Sequence, residues 1–265
     1  MKVPTSVPAV PEAVVAAARL RHEGRVAEAA DLVRNRLDEA RAAAFDTPFR
    51  DRVLLALTLA DLYLNLASRD EARSLLVTEI GFARRIRDAV RASGSPEQVH
   101  AASAGFLQLR DRATQIELLD RPAPGIGAVE WLQGGPVTLR DLRGQVVLFE
   151  FWAPWCRSCL AMFAFLNALH HKYGAQGLTI IALTNYRSGE THDPGMDREL
   201  VRESLSRNAV DFTVAIAPNE EIRAQYGAHG IPTYALIDRQ GYVCNASSKP
   251  DKSGLETAIS GLLQT

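Results

Sequence analysis

The sequence predicts a chain of two parts: an all-helical N-terminal half, and an α/β C-terminal half built on a mixed central sheet with helices on both faces. Three observations predict this. Up to about Leu119 the chain is rich in Ala, Leu, Arg and Glu, poor in aromatic residues, and repeats apolar residues every three or four positions, which is the helical period. From Val146 onward, short and nearly continuous apolar runs alternate with helix-length segments, as in sheets covered on both faces. Between the two regions, DRPAPGIG at 120–127 clusters Pro and Gly and predicts a linker. The expected domains are therefore 1–119 and 128–265, which suits a chain of 265 residues.

In the first half the period predicts helices near 11–23, 25–44, 48–67, 69–91 and 96–119. Gly24 breaks the first pair, Asp46-Thr47-Pro48 caps and starts the third helix, and Gly94-Ser95-Pro96 starts the last. Leu59-Ala60, Tyr63, Ala72 and Leu76 follow the small and large alternation of a tetratricopeptide repeat, and Ala16-Ala17, Leu20, Gly24, Ala29 and Val33 follow it one unit earlier. Ala29 and Ala72 stand 43 residues apart, against roughly 34 for that repeat. The half is either a degenerate tetratricopeptide-like array or a generic helical bundle.

In the second half, Val129 to Leu132 and Val137 to Leu139 flank Gly134-Gly135-Pro136 and predict a short hairpin. A strand follows at 146–152, then a helix from about Cys159 to Tyr173 and a second buried strand at 178–184. The polar stretch 185–195 reads as a solvated insertion, with His192 and Asp193 as its chemistry-bearing residues. A helix at 196–208, a strand at 212–217, a short helix at 219–226 and a strand at 233–238 come next. Arg239-Gln240-Gly241 turns the chain into a last strand from Tyr242, and a helix closes it at 252–263.

Charge excludes little except a global polyanion binder. Lys plus Arg number 30 against 31 acidic residues, so nothing argues for nucleic acid or an anionic membrane as partner. The arginine-rich ARRIRDAVR at 83–91 reads as a solvated helix face. No run approaches the roughly 18 to 20 apolar residues of a membrane helix. The start, MKVPTSVPAVPEA, shows no apolar signal core; the expected compartment is extracytoplasmic if this is a trimmed N-terminus and cytoplasmic otherwise.

Chemistry concentrates in FEFWAPWCRSC at 149–159, which holds two of the three cysteines. A disulfide framework needs more pairs. A metal site needs four ligands, and no second C-x-x-C exists; His170 and His171 would point about 100° apart on a helix. Cys244, His192 and His229 show no ligand spacing, so no metal is expected. A strand, a short loop and a helix put Cys156 at a helix N-terminus, where unpaired N–H groups and the dipole stabilise a thiolate, and Arg157 adds a cation. Cys156 is thus the expected nucleophile and Cys159, one turn further in, the resolving thiol. Lone Cys244 reads as a small strand hydrophobe.

FWAPWCRSC, the preceding VVLFEF, GIPTYALID at 230–238 and the following RQGYV together resemble the thioredoxin fold, and LRDLRGQVVLFEFWAPWC resembles its TlpA/ResA-like, or redoxin, branch over roughly 128–265. The resemblance implies a thiol-disulfide oxidoreductase of reductase type that exchanges disulfides with protein thiols and an upstream electron donor or acceptor. It implies no cofactor beyond a redox-active Cys156–Cys159 disulfide. Ile231-Pro232 matches the family's Ile-cis-Pro, which faces the cysteines and leaves a backbone edge for substrate. Trp155, Ile231 and Pro232 are the implied substrate-binding residues, with Arg157, Ser158 and Trp152 tuning the pair.

Glu150 adds a further expectation. Strand alternation sends Glu150 and Trp152 to one face and Phe149 and Phe151 to the other, so this acid sits in an otherwise apolar strand. Burial should raise its pKa toward neutrality and let it exchange a proton with Cys159. Where redoxins of this branch carry an acid and then a proline after the second cysteine, CLAMFAFL has Met162 and Ala164, so Glu150 is the expected acid and the helix lacks a proline kink. Arg157-Ser158 stands where thioredoxins have Gly-Pro; the cation favours the reduced form and a more oxidising pair. The helical half is expected to bind a partner protein or a second copy. The alternative function is an adaptor in which helical repeats bind the partner and the thioredoxin-like domain is only a scaffold.

Overall fold

The computed structural model describes residues 10–43, 47–128, 130–186, 193–248 and 250–264. The chain divides into two compact units, Met1–Ala113 and Thr114–Thr265. The division falls within the last helix of the first half, ahead of the boundary expected at 119.

In the first unit the helical period is realised as α1 (Glu12–His22), α2 (Val26–Ala42), α3 (Phe49–Asn65), α4 (Arg69–Ser93) and most of α5 (Pro96–Leu118). Apolar stripes at helical spacing explain the packing: Ala29, Ala30, Val33, Leu37 and Ala40 of α2 and Ala72, Leu75, Leu76 and Ala83 of α4 are all buried. From α1 to α4, each helix packs on the next in the chain. Methyl-sized Ala29 and Ala72, fully buried, let neighbouring axes approach. Consecutive packing of this kind is common to helical repeats and to bundles. Ser95 opens α5 with a reciprocal cap: its N–H donates to Gln98 Oε1 at 2.8 Å, and the Gln98 N–H donates to Ser95 Oγ at 3.3 Å. Asp46, expected in the cap of α3, lies outside the described residues. Arg84, Arg85 and Arg91 face solvent, while Arg87 stacks 4.1 Å over the Phe106 ring.

One buried charge cluster ties three of these helices. Glu79 of α4 is 1% exposed and accepts Arg52 Nε at 2.7 Å, Arg52 Nη2 at 3.2 Å and Arg41 Nε at 2.9 Å. The Arg52 guanidinium also lies 3.5 Å from the Phe82 ring centroid. Such a cluster is tolerable only while both signs are present, because removing one partner leaves an unpaired buried charge. Replacing Glu79 with Gln is expected to destabilise the protein by about 3 to 5 kcal/mol in urea unfolding followed by far-ultraviolet circular dichroism. A loss below about 1 kcal/mol, the range of exposed ion pairs, would mean that the cluster is not a structural tie.

The second unit is built on a sheet in the order β1-β4-β3-β2-β5-β6, with β1 Glu130–Gln133, β2 Val146–Phe151, β3 Leu178–Asn185, β4 Thr213–Ala217, β5 Thr233–Ile237 and β6 Val243–Ser248. Strands β2, β3 and β4 run parallel, while β1, β5 and β6 join antiparallel, so the sheet is mixed as expected. One face packs on α6 (Arg157–Tyr173), α7 (Pro194–Arg207) and α9 (Lys252–Gln264) through Phe163, Leu166, Val201, Leu205, Leu255 and Ile259. The other carries Ile222 of α8 (Glu221–Gln225), together with Tyr226, Leu142 and Ile126. All six residues of β2 are buried, which is why its sequence is apolar at consecutive positions.

Three expectations are corrected here. The hairpin at 129–139 does not form: β1 pairs with β4, and Thr138 to Asp141 make a turn in which the Thr138 N–H donates to Asp141 Oδ2 at 2.8 Å. Gly134 permits that pairing, because at φ +77° a Cβ there would come within 2.7 Å of Thr213 Oγ1. Residues 120–127 are not a free linker. The Asp120 N–H donates to Val243 O at 2.8 Å, the Ala123 N–H to Gly241 O at 3.0 Å, and the Tyr226 hydroxyl to Pro124 O at 2.6 Å. Cys244 is not packed as a hydrophobe but lies exposed on β6, because only Val243 and Ala246 of that strand turn inward. Of the polar insertion, Asp193 caps α7 by accepting the Gly195 N–H at 2.8 Å, and His192 lies outside the described residues.

Candidate redox site

Strand β2 brings the chain to the site and the loop after it aims the cysteines. The Trp152 N–H donates to Leu183 O at 3.0 Å, extending the β2–β3 pairing by one residue. The chain then turns, with the Cys156 N–H bonded to Ala153 O at 3.0 Å. Cys156 becomes the N-cap of α6, so the helix starts at Arg157, two residues before the expected start at Cys159. Its sulfur takes the place a capping oxygen would hold, accepting the Cys159 N–H at 3.2 Å. Cys156 and Cys159 are joined as a disulfide. Cys159 is fully buried, whereas Cys156 is half-buried and flanked by exposed Arg157 and Ser158. The Ser158 hydroxyl lies 3.4 Å from the Cys156 sulfur.

The two tryptophans divide their tasks by burial. Trp152 is fully buried and packs edge-on against Phe163 with centroids 4.9 Å apart. Trp155 is 51% exposed beside Cys156. The Ile231–Pro232 bond is cis and leads directly into β5, and Ile231 packs against the cores on both faces of the sheet. Helix α6 runs unbroken through Met162 and Ala164, as expected without a proline.

Glu150 lies on the same sheet face as Trp152, Cys159 and Phe163 and is fully buried. Among the described residues no Lys or Arg bonds to it. Its Oε1 accepts the Tyr234 hydroxyl at 2.9 Å, and Oε2 has no hydrogen-bond partner among the described residues. Burial dominates: taking a carboxylate out of water is worth several kcal/mol, against about 1.5 to 3 kcal/mol for one hydrogen bond to a charged group. The carboxyl is accordingly pushed up to about 8, with the Tyr234 bond opposing the shift. Tyr234 was not legible as a site residue. The available signal was two polar side chains in strands otherwise apolar on both faces, and antiparallel pairing sets them opposite each other as Glu150 and Tyr234.

Cys244 stands outside this constellation, with partial burial of its sulfur and nearby Asp238 pushing the thiol up to about 11. Among the described residues no three His, Cys, Asp or Glu side chains stand close enough to hold a metal ion. No helix of the described residues is long and apolar enough to cross a membrane.

Fold and site together define a thioredoxin-fold domain with a C-x-x-C disulfide at a helix N-terminus and a cis-proline preceding the neighbouring strand. Residues 121–261 match the Redoxin family, more than half of the chain, and the chain belongs to that family. It is 33% identical over 112 residues to the thiol-disulfide oxidoreductase ResA of Bacillus thuringiensis (strain Al Hakam), a match covering 42% of this chain and 60% of that protein. Protein DipZ of Mycobacterium bovis is 28% identical over 250 residues, covering 90% of this chain and 34% of DipZ. A thiol-disulfide isomerase of known structure from Corynebacterium glutamicum is 24% identical with a TM-score of 0.47, covering 54% of this chain and 97% of that chain. The match thus spans about 60% of the length of that ResA protein.

The raised carboxyl makes stability depend on pH. Unfolded Glu150 ionises near its ordinary 4.5 and the folded one near 8, so between these values the unfolded state has lost the proton that the folded state keeps. Unfolding free energy should therefore fall as pH rises from about 5 to 8 and level off above. Glu150→Gln should remove that slope, as measured by urea unfolding at pH 5 and pH 8.5. Equal slopes in both proteins would show that Glu150 is ionised throughout.

Proposed function

We propose that the chain is a thiol-disulfide oxidoreductase that reduces disulfides of protein substrates through Cys156 and Cys159. The observation that carries this reading is the Cys156 sulfur placed as the cap of α6, joined to a buried Cys159 one turn on. A helix N-terminus stabilises an anion by up to about 2 kcal/mol in partly buried geometries, and the Cys159 N–H adds a direct bond to it. Arg157 contributes a neighbouring cation and the Ser158 hydroxyl a further donor.

In the reduced protein the Cys156 thiolate attacks one sulfur of a substrate disulfide. A mixed disulfide forms and one substrate thiolate leaves. Cys159 then gives up its proton, with Glu150 as the group that manages it, and attacks the Cys156 sulfur. The Cys156–Cys159 disulfide forms, the second substrate thiolate leaves, and the substrate is reduced by two electrons. An upstream dithiol donor restores the pair. Exposed Trp155 and the backbone edge at Ile231 and Pro232 receive the substrate chain around its disulfide. The helical unit binds the protein partner, or a second copy.

Cys156→Ser should abolish the dithiothreitol-dependent reduction of insulin, and Cys159→Ser should accumulate a mixed disulfide with the substrate. Unchanged turnover in Cys156→Ser would refute the reading and favour a scaffold. The reduction potential decides direction. It is expected to be somewhat less negative than the roughly −270 mV of thioredoxin because of Arg157, and a value near −120 mV would make the protein an oxidant.

A further inference from the structure

The cis-proline edge is approached by a loop, Gly227 to Ile231, that carries two glycines and so has much conformational freedom to lose. Side chains from four elements hold it. In its middle, Arg223 of α8 donates from Nε to Ala228 O at 3.1 Å and from Nη2 to His229 O at 3.4 Å. A chain of groups from α5, β6 and β5 holds its two ends. Gln115, in the last turn of α5 and within the second unit, is 1% exposed. Its Nε2 donates to Gly227 O at 2.7 Å and to Ser248 Oγ at 3.2 Å. Ser248 Oγ lies 2.7 Å from Thr233 Oγ1, and the Thr233 hydroxyl donates to Gly230 O at 2.6 Å. Carbonyls only accept and an amide NH2 only donates, so the order of the chain is forced. Gln115 donates to Ser248, Ser248 to Thr233, and Thr233 to Gly230. Both ends of the turn before the cis bond are thus clamped from one buried amide.

An apolar side chain of the same size would fill that space without the desolvation penalty of a buried amide. The amide therefore matters for what it binds rather than for the volume it fills. We infer that Gln115 is a positioning residue for substrate, holding the loop so that the Ile231–Pro232 backbone edge is preformed when a substrate chain arrives. This rests on the proposed use of that edge. A preformed edge saves ordering cost on binding, so loosening it raises KM and leaves the sulfur chemistry alone.

A matched comparison exists at the far edge of the same sheet. Gln133 Nε2, at the end of β1, also makes two hydrogen bonds, to Val210 O at 2.7 Å and Phe212 O at 3.0 Å, in the chain leading into β4. The experiment compares Gln115→Leu, Ser248→Ala and Gln133→Leu in insulin reduction, in Tm, in reduction potential and in amide hydrogen exchange. Gln115→Leu should raise KM by roughly three- to tenfold, the worth of one net hydrogen bond, with kcat and potential unchanged and exchange at residues 227–230 faster. Ser248→Ala, at a more exposed position, should shift KM in the same direction by less and decides the matter if Gln115→Leu does not fold. Gln133→Leu should lower Tm with KM unchanged. If Gln115→Leu lowers Tm as Gln133→Leu does while KM and exchange stay at wild-type values, the role is merely structural and the inference fails. A wild-type protein without disulfide exchange would instead overturn the proposed function, and the hydrogen exchange of Gln115→Leu would still decide whether the amide holds the loop.

Discussion

The 3.2 Å hydrogen bond from the Cys159 amide to the Cys156 sulfur exists because β2 delivers the chain to one point in space. That strand is paired with β3 on one side and β5 on the other and is covered on both faces, so the backbone leaving Phe151 has almost no freedom. A four-residue turn then places a sulfur where helix α6 needs its cap. The position of Cys156, the depth of Cys159 and the exposure of Trp155 all follow from that one junction. Moving β2 by a single residue would exchange its two faces and send Glu150 and Trp152 to the wrong layer.

Burying Glu150 next to this junction is costly, and the structure offsets only part of the cost. One tyrosine hydroxyl satisfies one oxygen, and among the described residues no cation stands against the carboxylate. The contrast with Glu79 is instructive. Glu79 is nearly as buried but has two guanidinium partners, where Glu150 has one neutral hydroxyl. The same side chain is thus ion-paired in one unit and pushed toward its neutral form in the other, and the difference lies in the partners that surround it.

Much of this was legible from residue order. Helix and strand positions follow from period and from glycine and proline punctuation, and observed ends differ from expected ones by a few residues at most. Cys156, Cys159 and Glu150 were singled out by local pattern, since a C-x-x-C between strand and helix and an acid in an apolar run are visible in a line of text, and Pro232 by resemblance. The hairpin at 129–139 was misread because a Gly-Gly-Pro turn between apolar residues looks alike whether the strand pairs with its neighbour or with β4, more than eighty residues away. The linker was misread for a related reason: Pro and Gly mark irregular backbone, and 120–127 is irregular yet bonded along Val243 and Gly241.

By itself the sequence determined the kind of elements, their order, and the candidate residues for the chemistry, because these depend on interactions between near neighbours in the chain. Only the tertiary structure decided which strand pairs with which, that Tyr234 meets Glu150 across 84 residues, and that Gln115 reaches Gly227 across 112. Such contacts join groups whose separation in sequence bears no relation to their separation in space. They are selected when hydrophobic burial closes the sheet, and no local period records them.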